Sequence, residues 1–178
     1  MPAAGYGPWG WHRLSPSWAE RLIAEAGISP GDLVVDVGAG TGALTAPLVA
    51  AGARVVAVEL HPRRVALLRE RFASDDVTVV RADAADLRLP RRPFRVVANP
   101  PFGVTSRLVK RLLAPGSRLV RADLVLQEAP ARRWASGRAP GAGRWARDYE
   151  LSLGVRVPRR AFTPRPAVDC TTLIVTRR

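Results

Sequence analysis

Short apolar runs alternate with longer amphipathic segments along most of the chain. The short runs are rich in Val and Leu and are bounded by turn-forming or acidic residues, which is typical of buried strands. These runs predict seven strands, at residues 33–37, 55–60, 77–81, 94–98, 122–127, 151–157 and 171–175.

The segments between these runs predict helices, over 15–26, 43–51, 106–113 and 128–134 and from residue 61 onward. Ser15 followed by Pro16 is typical of a helix start, and Gly27 is typical of a helix end. Pro47 predicts a kink in the second helix unless it falls within the first turn. Apolar strands that alternate with helices predict a mostly parallel sheet with helices on both faces.

The domain organisation follows from the same pattern. Residues 15–178 predict one α/β domain with a Rossmann-like, mostly parallel seven-stranded sheet, and 178 residues suffice for a hydrophobic core. Residues 1–14 are rich in Gly, Pro and Trp without any period, so an irregular N-terminal arm is expected. Residues 136–144, which are Gly, Ala, Pro and Arg with one Ser, predict a loop.

Charge is distributed unevenly along the chain. Residues 1–60 carry 3 basic and 5 acidic residues, whereas residues 61–178 carry 25 basic and 10 acidic residues. An Arg-rich genome would explain Arg in place of Lys, but it would not explain the excess over acids. The asymmetry therefore favours a polyanionic partner, above all nucleic acid.

The cysteine count and the hydropathy of the chain exclude several classes of protein. The single cysteine, Cys170, excludes an internal disulfide framework and a cysteine-cluster metal site. No apolar run reaches the roughly 18 residues that span a bilayer, and no leader sequence is apparent. We therefore expect a cytoplasmic protein with neither a bound metal nor a membrane partner.

Polar residues follow four successive strands. Asp36, Glu59, Asp83 and Asn99 stand at or just beyond the strand ends. Because ligands of open parallel sheets bind beyond the carboxyl ends of the strands, these side chains predict one binding site.

The loop after the first strand, residues 38–42, reads G-x-G-x-G. A dinucleotide-binding loop has its third glycine one residue later, and the acid before this loop would repel a pyrophosphate. A cationic, amino-bearing ligand such as S-adenosylmethionine fits better. Glu59, which lies 17 residues past Gly42, can then accept from a ribose diol, and Asp83 from an exocyclic amine.

The turn Asn99-Pro100-Pro101-Phe102 provides hydrogen-bond acceptors and an aromatic ring at a strand end. Proline has no backbone donor, so nearby carbonyls are left to accept. The turn can thus hold a flat amino-bearing base, although such a sequence is also compatible with an ordinary strand-ending turn.

Together these motifs resemble those of the rRNA adenine N6-dimethyltransferases, and among them most closely the Erm enzymes, which methylate 23S rRNA and confer macrolide, lincosamide and streptogramin B resistance. The motifs are Asp36-Val37-Gly38-Ala39-Gly40-Thr41-Gly42, Val58-Glu59-Leu60, Ala82-Asp83-Ala84 and Asn99-Pro100-Pro101-Phe102. Residues 11–14 and 162–169 resemble the terminal motifs of the family. The resemblance implies a class I methyltransferase fold and S-adenosylmethionine as cofactor.

The resemblance also implies roles for individual residues. Asn99 and the carbonyl of Pro100 would accept from the target N6 amine, and Phe102 would stack on the flipped base. The residues implied in cofactor binding are His12, Leu14, Asp36, Gly38, Gly40, Glu59, Leu60, Asp83, Ala84 and Asn99. Two departures from the family pattern are Arg13, which replaces an aromatic residue, and the end of the chain soon after the last strand, where most members continue into a helical domain.

The expected substrate is 23S rRNA, naked or in a precursor particle, and the enzyme is expected to be a monomer. Without a helical domain, RNA binding falls to the Arg-rich second half, where the candidates are Arg107, Lys110, Arg111, Arg132, Arg144 and Arg159. Trp9, Trp11, Trp134 and Trp145 are further candidates for contact with RNA, whereas Trp18 is expected in the core.

Three alternatives stay open from the sequence. A DNA adenine or protein-glutamine methyltransferase can use a similar turn, but the Erm-like ends of the chain disfavour it. A small-subunit rRNA adenine dimethylase is a closer alternative. A non-catalytic RNA-binding relative is the third, and the intact glycine loop and Asn99 disfavour it.

Overall fold

A computed structural model describes residues 11–178. The helices are α1 Pro16–Ala26, α2 Thr45–Ala50, α3 Pro62–Arg71, α4 Thr105–Leu112 and α5 Glu128–Ala135. The strands are β1 Arg13–Leu14, β2 Leu33–Val37, β3 Arg54–Glu59, β4 Val77–Arg81, β5 Phe94–Ala98, β6 Leu119–Gln127, β7 Tyr149–Val157, β8 Phe162–Thr163 and β9 Cys170–Arg177.

Seven strands form the central sheet in the order β4-β3-β2-β5-β6-β9-β7. The pairs among the first five are parallel, and β9 runs antiparallel to both β6 and β7. The strand order reverses between β2 and β5, where ligands bind in open α/β sheets. The predicted mostly parallel seven-stranded sheet is confirmed.

The observed elements differ from the predicted ones at their ends. The strands β6, β7 and β9 all extend beyond the apolar runs that predicted them, because neighbouring residues, several of them polar, continue the ladder. Arg121, for example, pairs with Asp123 at 2.7 Å and so lies on the sheet without an unpaired charge. Pro47 is the third residue of α2 and therefore lies in its first turn.

The N-terminal arm is not irregular throughout, which corrects the expectation. Strand β1 pairs antiparallel with β8, with Leu14 opposite Phe162. The backbone N–H of Ser15 donates to the carbonyl of Ala161 at 2.8 Å and extends the contact. Residues 11–14 and 161–164, which we call the strap, thus join the two ends of the chain.

The core lies on both faces of the sheet. Helices α4 and α5 cover one face of the sheet, and Trp134 of α5 belongs to this layer. Helices α1 and α2 and the strap cover the other face. Trp134 is buried, so the prediction that it contacts RNA is wrong. Trp18 is partly buried against the core, as expected. Cys170 is also buried, which raises the pKa of its thiol to about 12 and leaves it uncharged and unreactive.

No helix within residues 11–178 is long and apolar enough to cross a membrane. The only cysteine is a free thiol.

The strap predicts a specific cost for losing one side chain. Replacing Leu14 with Ala removes a side chain that is 2% exposed and packed in the core, so the free energy of unfolding should fall by about 2–5 kcal/mol. Urea unfolding measures this, with Leu67→Ala, at a half-exposed position, as the matched control. A loss below about 1 kcal/mol for Leu14→Ala would mean that the strap is not part of the cooperative fold.

Candidate functional site

The carboxyl ends of β2, β3, β4 and β5 meet at one edge of the sheet, as the sequence predicted. The glycine loop after β2 bends toward β3, where the N–H groups of Gly38 and Ala39 both donate to the carbonyl of Val58, at 2.8 and 3.0 Å. Gly38 has φ +76°, which favours glycine. These bonds hold the loop beside the end of β3.

Glu59, at the end of β3, organises this edge through its carboxylate. Its Oε2 accepts from the N–H of Gly40 at 2.8 Å, and its Oε1 accepts from the N–H groups of Leu60 and His61 at 2.9 and 2.8 Å. The side chain is 6% exposed. A carboxylate has about four acceptor positions, so one position is left for a ligand hydroxyl.

A pocket of about 440 Å³ opens beside Glu59, within the range that holds small ligands. Asp83 stands on its other side, where Oδ1 accepts from the N–H of Ala85 at 2.8 Å. The pocket is lined by Trp11, Gly38, Val58, Glu59, Leu60, Arg64, Ala82, Asp83, Ala84, Pro101, Gly103, Val104 and Arg107. Of the predicted cofactor residues, Gly38, Glu59, Leu60, Asp83 and Ala84 thus come together here.

The glycine loop touches the turn that follows β5. A Cβ atom added to Gly38 would lie 3.0 Å from Cδ of Pro101 and 3.4 Å from Cα of Pro100. Only a residue without a side chain lets the two segments approach this closely. The pocket and the Asn-Pro-Pro-Phe turn are therefore adjacent parts of one site.

The strap fixes the orientation of Asn99. Its Nδ2 donates to the backbone carbonyl of His12 at 2.7 Å, which leaves Oδ1 as the acceptor on the other side of the amide. His12 in turn bonds through Nδ1 to the carbonyl of Pro164 at 2.8 Å, and its ring stacks on Phe102 with centroids 5.3 Å apart. One face of Phe102 is thus covered by His12.

The arm reaches the pocket through Trp11, not through His12 or Leu14. His12 is buried against Phe102, and Leu14 is buried in the core, since β1 turns its side chain toward Phe162. Leu14 also lines a narrow cavity with Asp36, beside the pocket. The resemblance implies that both residues line the cofactor site; Leu14 borders the narrow cavity beside the pocket, and His12 contacts Phe102 and Asn99 next to it.

Trp11 was not predicted as a pocket residue. Its indole lies over the glycine loop, and a Cβ atom on Gly40 would lie 2.5 Å from Trp11 Nε1. The guanidinium of Arg64 stacks on the same indole at 4.2 Å and lies 4.0 Å from Oε1 of Glu59. Gly40 lies against Trp11, and its backbone N–H donates to the Glu59 carboxylate. The sequence signals for this contact were the resemblance of residues 11–14 to a terminal motif of the family and a glycine in the loop after β2.

Asp36 is buried beneath the glycine loop. Its Oδ2 accepts from the hydroxyl of Thr45 at 2.7 Å, and its Oδ1 is buried without a hydrogen-bond partner among residues 11–178. Burial raises the pKa of Asp36 to about 7, the Thr45 hydroxyl opposes this rise, and the negative charge of Glu59 adds to it. Asp36 borders the narrow cavity that also touches Gly38 and Asn99.

The predicted RNA-binding residues do not form one surface. Arg107 lies at the pocket, whereas Lys110 and Arg144 line a groove at the opposite edge of the sheet. Arg132 pairs with Glu128, and Arg159 lies 3.8 Å from the carboxylate of Asp169.

Arg111 donates from Nε to the carbonyl of Leu87 at 2.8 Å. Trp145 is partly buried and packs against the core and Trp134. Trp9 lies outside the described residues. Within residues 11–178, no group of three or more His, Cys, Asp or Glu side chains could hold a metal ion.

A family model described as Ribosomal RNA adenine dimethylase matches residues 14–178. The chain is 40% identical over 147 residues to the mycinamicin-resistance protein MyrB of Micromonospora griseorubida, covering 82% of this chain and 47% of that protein. It is 38% identical over 168 residues to the ribosomal RNA small subunit methyltransferase A of Thermosynechococcus vestitus, covering 84% of this chain and 60% of that protein.

Among solved structures, the 23S rRNA methyltransferase ErmE matches with a TM-score of 0.84 at 30% identity, covering 93% of this chain and 70% of that one. The fold is therefore that of the Rossmann-like class I methyltransferases. The chain spans about half the length of the first curated relatives it matches.

The raised pKa of Asp36 predicts how stability depends on pH. The folded state holds this proton up to about pH 7 and the unfolded state only to about pH 4, so stability from this group is complete below pH 4 and is lost as pH rises to 7. Asp36→Asn keeps the acceptor for Thr45 and removes the charge. The difference in unfolding free energy between this variant and the wild-type protein should therefore shift in favour of the variant between pH 5 and pH 8.

Urea unfolding at several pH values measures this difference, and Asp75→Asn, at an exposed aspartate, is the control. Parallel pH profiles for the wild-type protein and Asp36→Asn would contradict the raised pKa.

Proposed function

The chain belongs to the ribosomal RNA adenine dimethylase family, and on that premise we propose that it transfers methyl groups from S-adenosylmethionine to N6 of an adenine in rRNA. The observation that carries the proposal is the hydrogen bond from Asn99 Nδ2 to the carbonyl of His12, because it fixes the amide and leaves Oδ1 as the unused acceptor of a residue that borders the narrow cavity. An oriented acceptor at the end of β5 is what recognition of an amine requires.

The residues of the pocket fit the proposed cofactor. Glu59 has an acceptor position left for a ribose hydroxyl after three backbone donors are satisfied. Asp83 keeps Oδ2 for the adenine amine, and Arg64 and Trp11 stand over the opening. The partnerless Oδ1 of Asp36, next to Gly38, suits the positive charge and amino group of the methionine part.

Bound S-adenosylmethionine supplies an electrophilic methyl group on its sulfonium. The chain's own residues prepare the nucleophile. The N6 lone pair of adenine is delocalised into the ring, and acceptors at Asn99 Oδ1 and the Pro100 carbonyl favour a pyramidal nitrogen whose lone pair is free to attack. Because the proton on that nitrogen becomes acidic once the methyl is attached, water can take it and no side-chain base is needed. Positioning and electrostatics then carry most of the catalysis.

Phe102 receives the target base in this proposal. His12 covers one face of its ring, so we assign the base to the other face. An adenine must leave its stack to reach the site, which costs a few kcal/mol, and stacking on Phe102 offsets part of this. His12 therefore positions Phe102 through the ring and Asn99 through its carbonyl.

We assign 23S rRNA as the substrate, naked or in a precursor particle, and resistance to macrolides, lincosamides and streptogramin B as the consequence. The likeness to ErmE and to a mycinamicin-resistance protein supports this assignment. The net charge of +13 supports an RNA partner. We further propose a cytoplasmic monomer in which residues 15–178 form the catalytic domain and residues 1–14 its arm.

A small-subunit rRNA adenine dimethylase is the second candidate function. The relative in Thermosynechococcus vestitus is named for that activity and is 38% identical, close to the value for MyrB. Incubating 23S and 16S rRNA separately with the chain and cofactor, and locating methylated adenines by primer extension, distinguishes the two. A stop on 23S rRNA alone supports the first function, and a stop on 16S rRNA alone supports the second.

Replacing Asn99 with Ala removes the acceptor for the N6 amine. We expect kcat for methyl transfer to rRNA to fall about 10²–10³-fold, as for loss of one preorganised hydrogen-bonding group at a reacting centre. The cofactor Kd should change little, which separates a catalytic loss from a damaged pocket. Full activity of Asn99→Ala would refute the mechanism, and absence of cofactor binding by the wild-type protein would favour a non-catalytic RNA-binding protein.

Glu59→Gln tests the ribose contact. The amide places an N–H₂ group against backbone donors and removes the charge, so the Kd for S-adenosylmethionine should rise about 10- to 100-fold. Isothermal titration calorimetry gives the Kd, and the thermal midpoint reports any loss of fold. Glu70→Gln, on the exposed face of α3, is the matched control. An unchanged Kd for Glu59→Gln would remove Glu59 from the cofactor site.

A further inference from the structure

The edge of the sheet opposite the candidate active site is divided by charge. On the side of β2, β3 and β4, the acids Asp32, Asp75 and Asp76 precede the strands, and Arg54 at the start of β3 is the one basic residue next to them. On the side of β5, β6, β7 and β9, the residues next to the strand ends are mostly basic, namely Arg91, Arg92, Arg118, Arg147, Arg177 and Arg178. The fold thus collects positive charge from distant parts of the chain in one place.

A groove of about 620 Å³ opens within this basic half. It lies between the turn that joins α4 to β6 and the segment before β7. Its cationic side chains are Lys110, Arg118, Arg144 and Arg177, and Asp148 is the one acid among its lining residues. We call it the basic groove.

Three of the four cationic side chains in the basic groove have no partner among the described residues. The side chains of Lys110, Arg118 and Arg144 are exposed and make no hydrogen bond or ion pair with another residue in the 11–178 range. Arg177, in contrast, donates to the carbonyl of Leu119 at 2.8 Å and to the Tyr149 hydroxyl at 2.7 Å, so it forms a fixed part of the wall. The groove therefore has one cation held by hydrogen bonds and three exposed cations whose side chains are available to a ligand.

We propose that the basic groove binds the phosphate backbone of the RNA substrate at a point remote from the target adenine. The groove fits a phosphate chain because four of its lining side chains are cationic and only Asp148 is acidic, so its net charge is positive. This inference rests on the proposed function for the identity of the polyanion. It adds a second RNA contact on the far edge of the sheet, which positions the substrate without reading its sequence.

The position of the groove sets the length of RNA that can use it. At about 3.3 Å per residue, β5 is about 16 Å long and β6 is about 30 Å long. The groove and the active-site edge are therefore separated by about 16–30 Å. Within a base-paired helix, at about 3.4 Å per base pair, an arm of about four base pairs beside the target cannot reach the groove, whereas one of about fifteen can.

The test compares two triple variants of equal net charge. The groove variant carries Lys110→Gln, Arg118→Gln and Arg144→Gln. The matched control carries Arg21→Gln, Arg63→Gln and Arg69→Gln, all at exposed positions on α1 and α3. Binding to long and short RNA is measured by fluorescence anisotropy between 50 and 200 mM salt, a readout that needs no methyl transfer.

For long RNA, we expect the groove variant to lower the slope of log K against log salt by about 2–3 and to raise the Kd at least about tenfold at the higher salt. The control should change the slope by less than about 1, and both variants should bind short RNA like the wild-type protein. In methyl-transfer assays the groove variant should raise KM and leave kcat within about twofold.

Equal effects of the two triple variants on long RNA, or no effect of the groove variant, would overturn the proposal. A wild-type protein that does not bind rRNA at all would overturn it as well. Wild-type protein that binds rRNA but transfers no methyl group would refute the proposed function, while the salt slopes would still decide the role of the groove.

Discussion

The hydrogen bond between Asn99 and the carbonyl of His12 is the interaction on which the site depends. Asn99 belongs to the end of a central strand, whereas His12 belongs to an arm that is held by the last part of the chain through Pro164 and β8. Because an amide has a donor and an acceptor on opposite sides, binding its nitrogen decides where its oxygen points. The orientation of the Asn99 amide is therefore set by a contact between residues 87 positions apart.

Close backbone approach is the second constraint. The glycine loop touches the Asn-Pro-Pro-Phe turn at Gly38 and the indole of Trp11 at Gly40, and a side chain at either position would collide with its neighbour. The two contacts bring the cofactor pocket, the turn and the arm within one compact site. The same closeness buries Asp36, whose charge is then destabilised unless a cation is bound beside it.

The sequence predicted the strands of the central sheet and the residues that follow them, but it did not predict the contacts of the N-terminal arm. Apolar runs and turn residues are local signals, and they located the strands and the residues Glu59, Asp83 and Asn99 that follow them. Strand β1 has two residues and pairs with β8 about 150 positions away, so no local pattern encodes it. The position of Trp11 at the pocket likewise depends on contacts between distant parts of the chain. The net charge indicated an RNA partner. Which arginines are available to contact RNA depends on their pairing with acidic side chains and on their position on the sheet.

The most direct test of the account is the identity of the methylated atom. The chain is incubated with rRNA and S-adenosylmethionine carrying an isotopically labelled methyl group, and the digested nucleosides are separated and identified by mass spectrometry. The account predicts that the label appears in N6-methyladenosine or N6,N6-dimethyladenosine, because Asn99 Oδ1 and the Pro100 carbonyl accept from an exocyclic amine. Label on a ribose hydroxyl, a ring nitrogen or a pyrimidine carbon would contradict it.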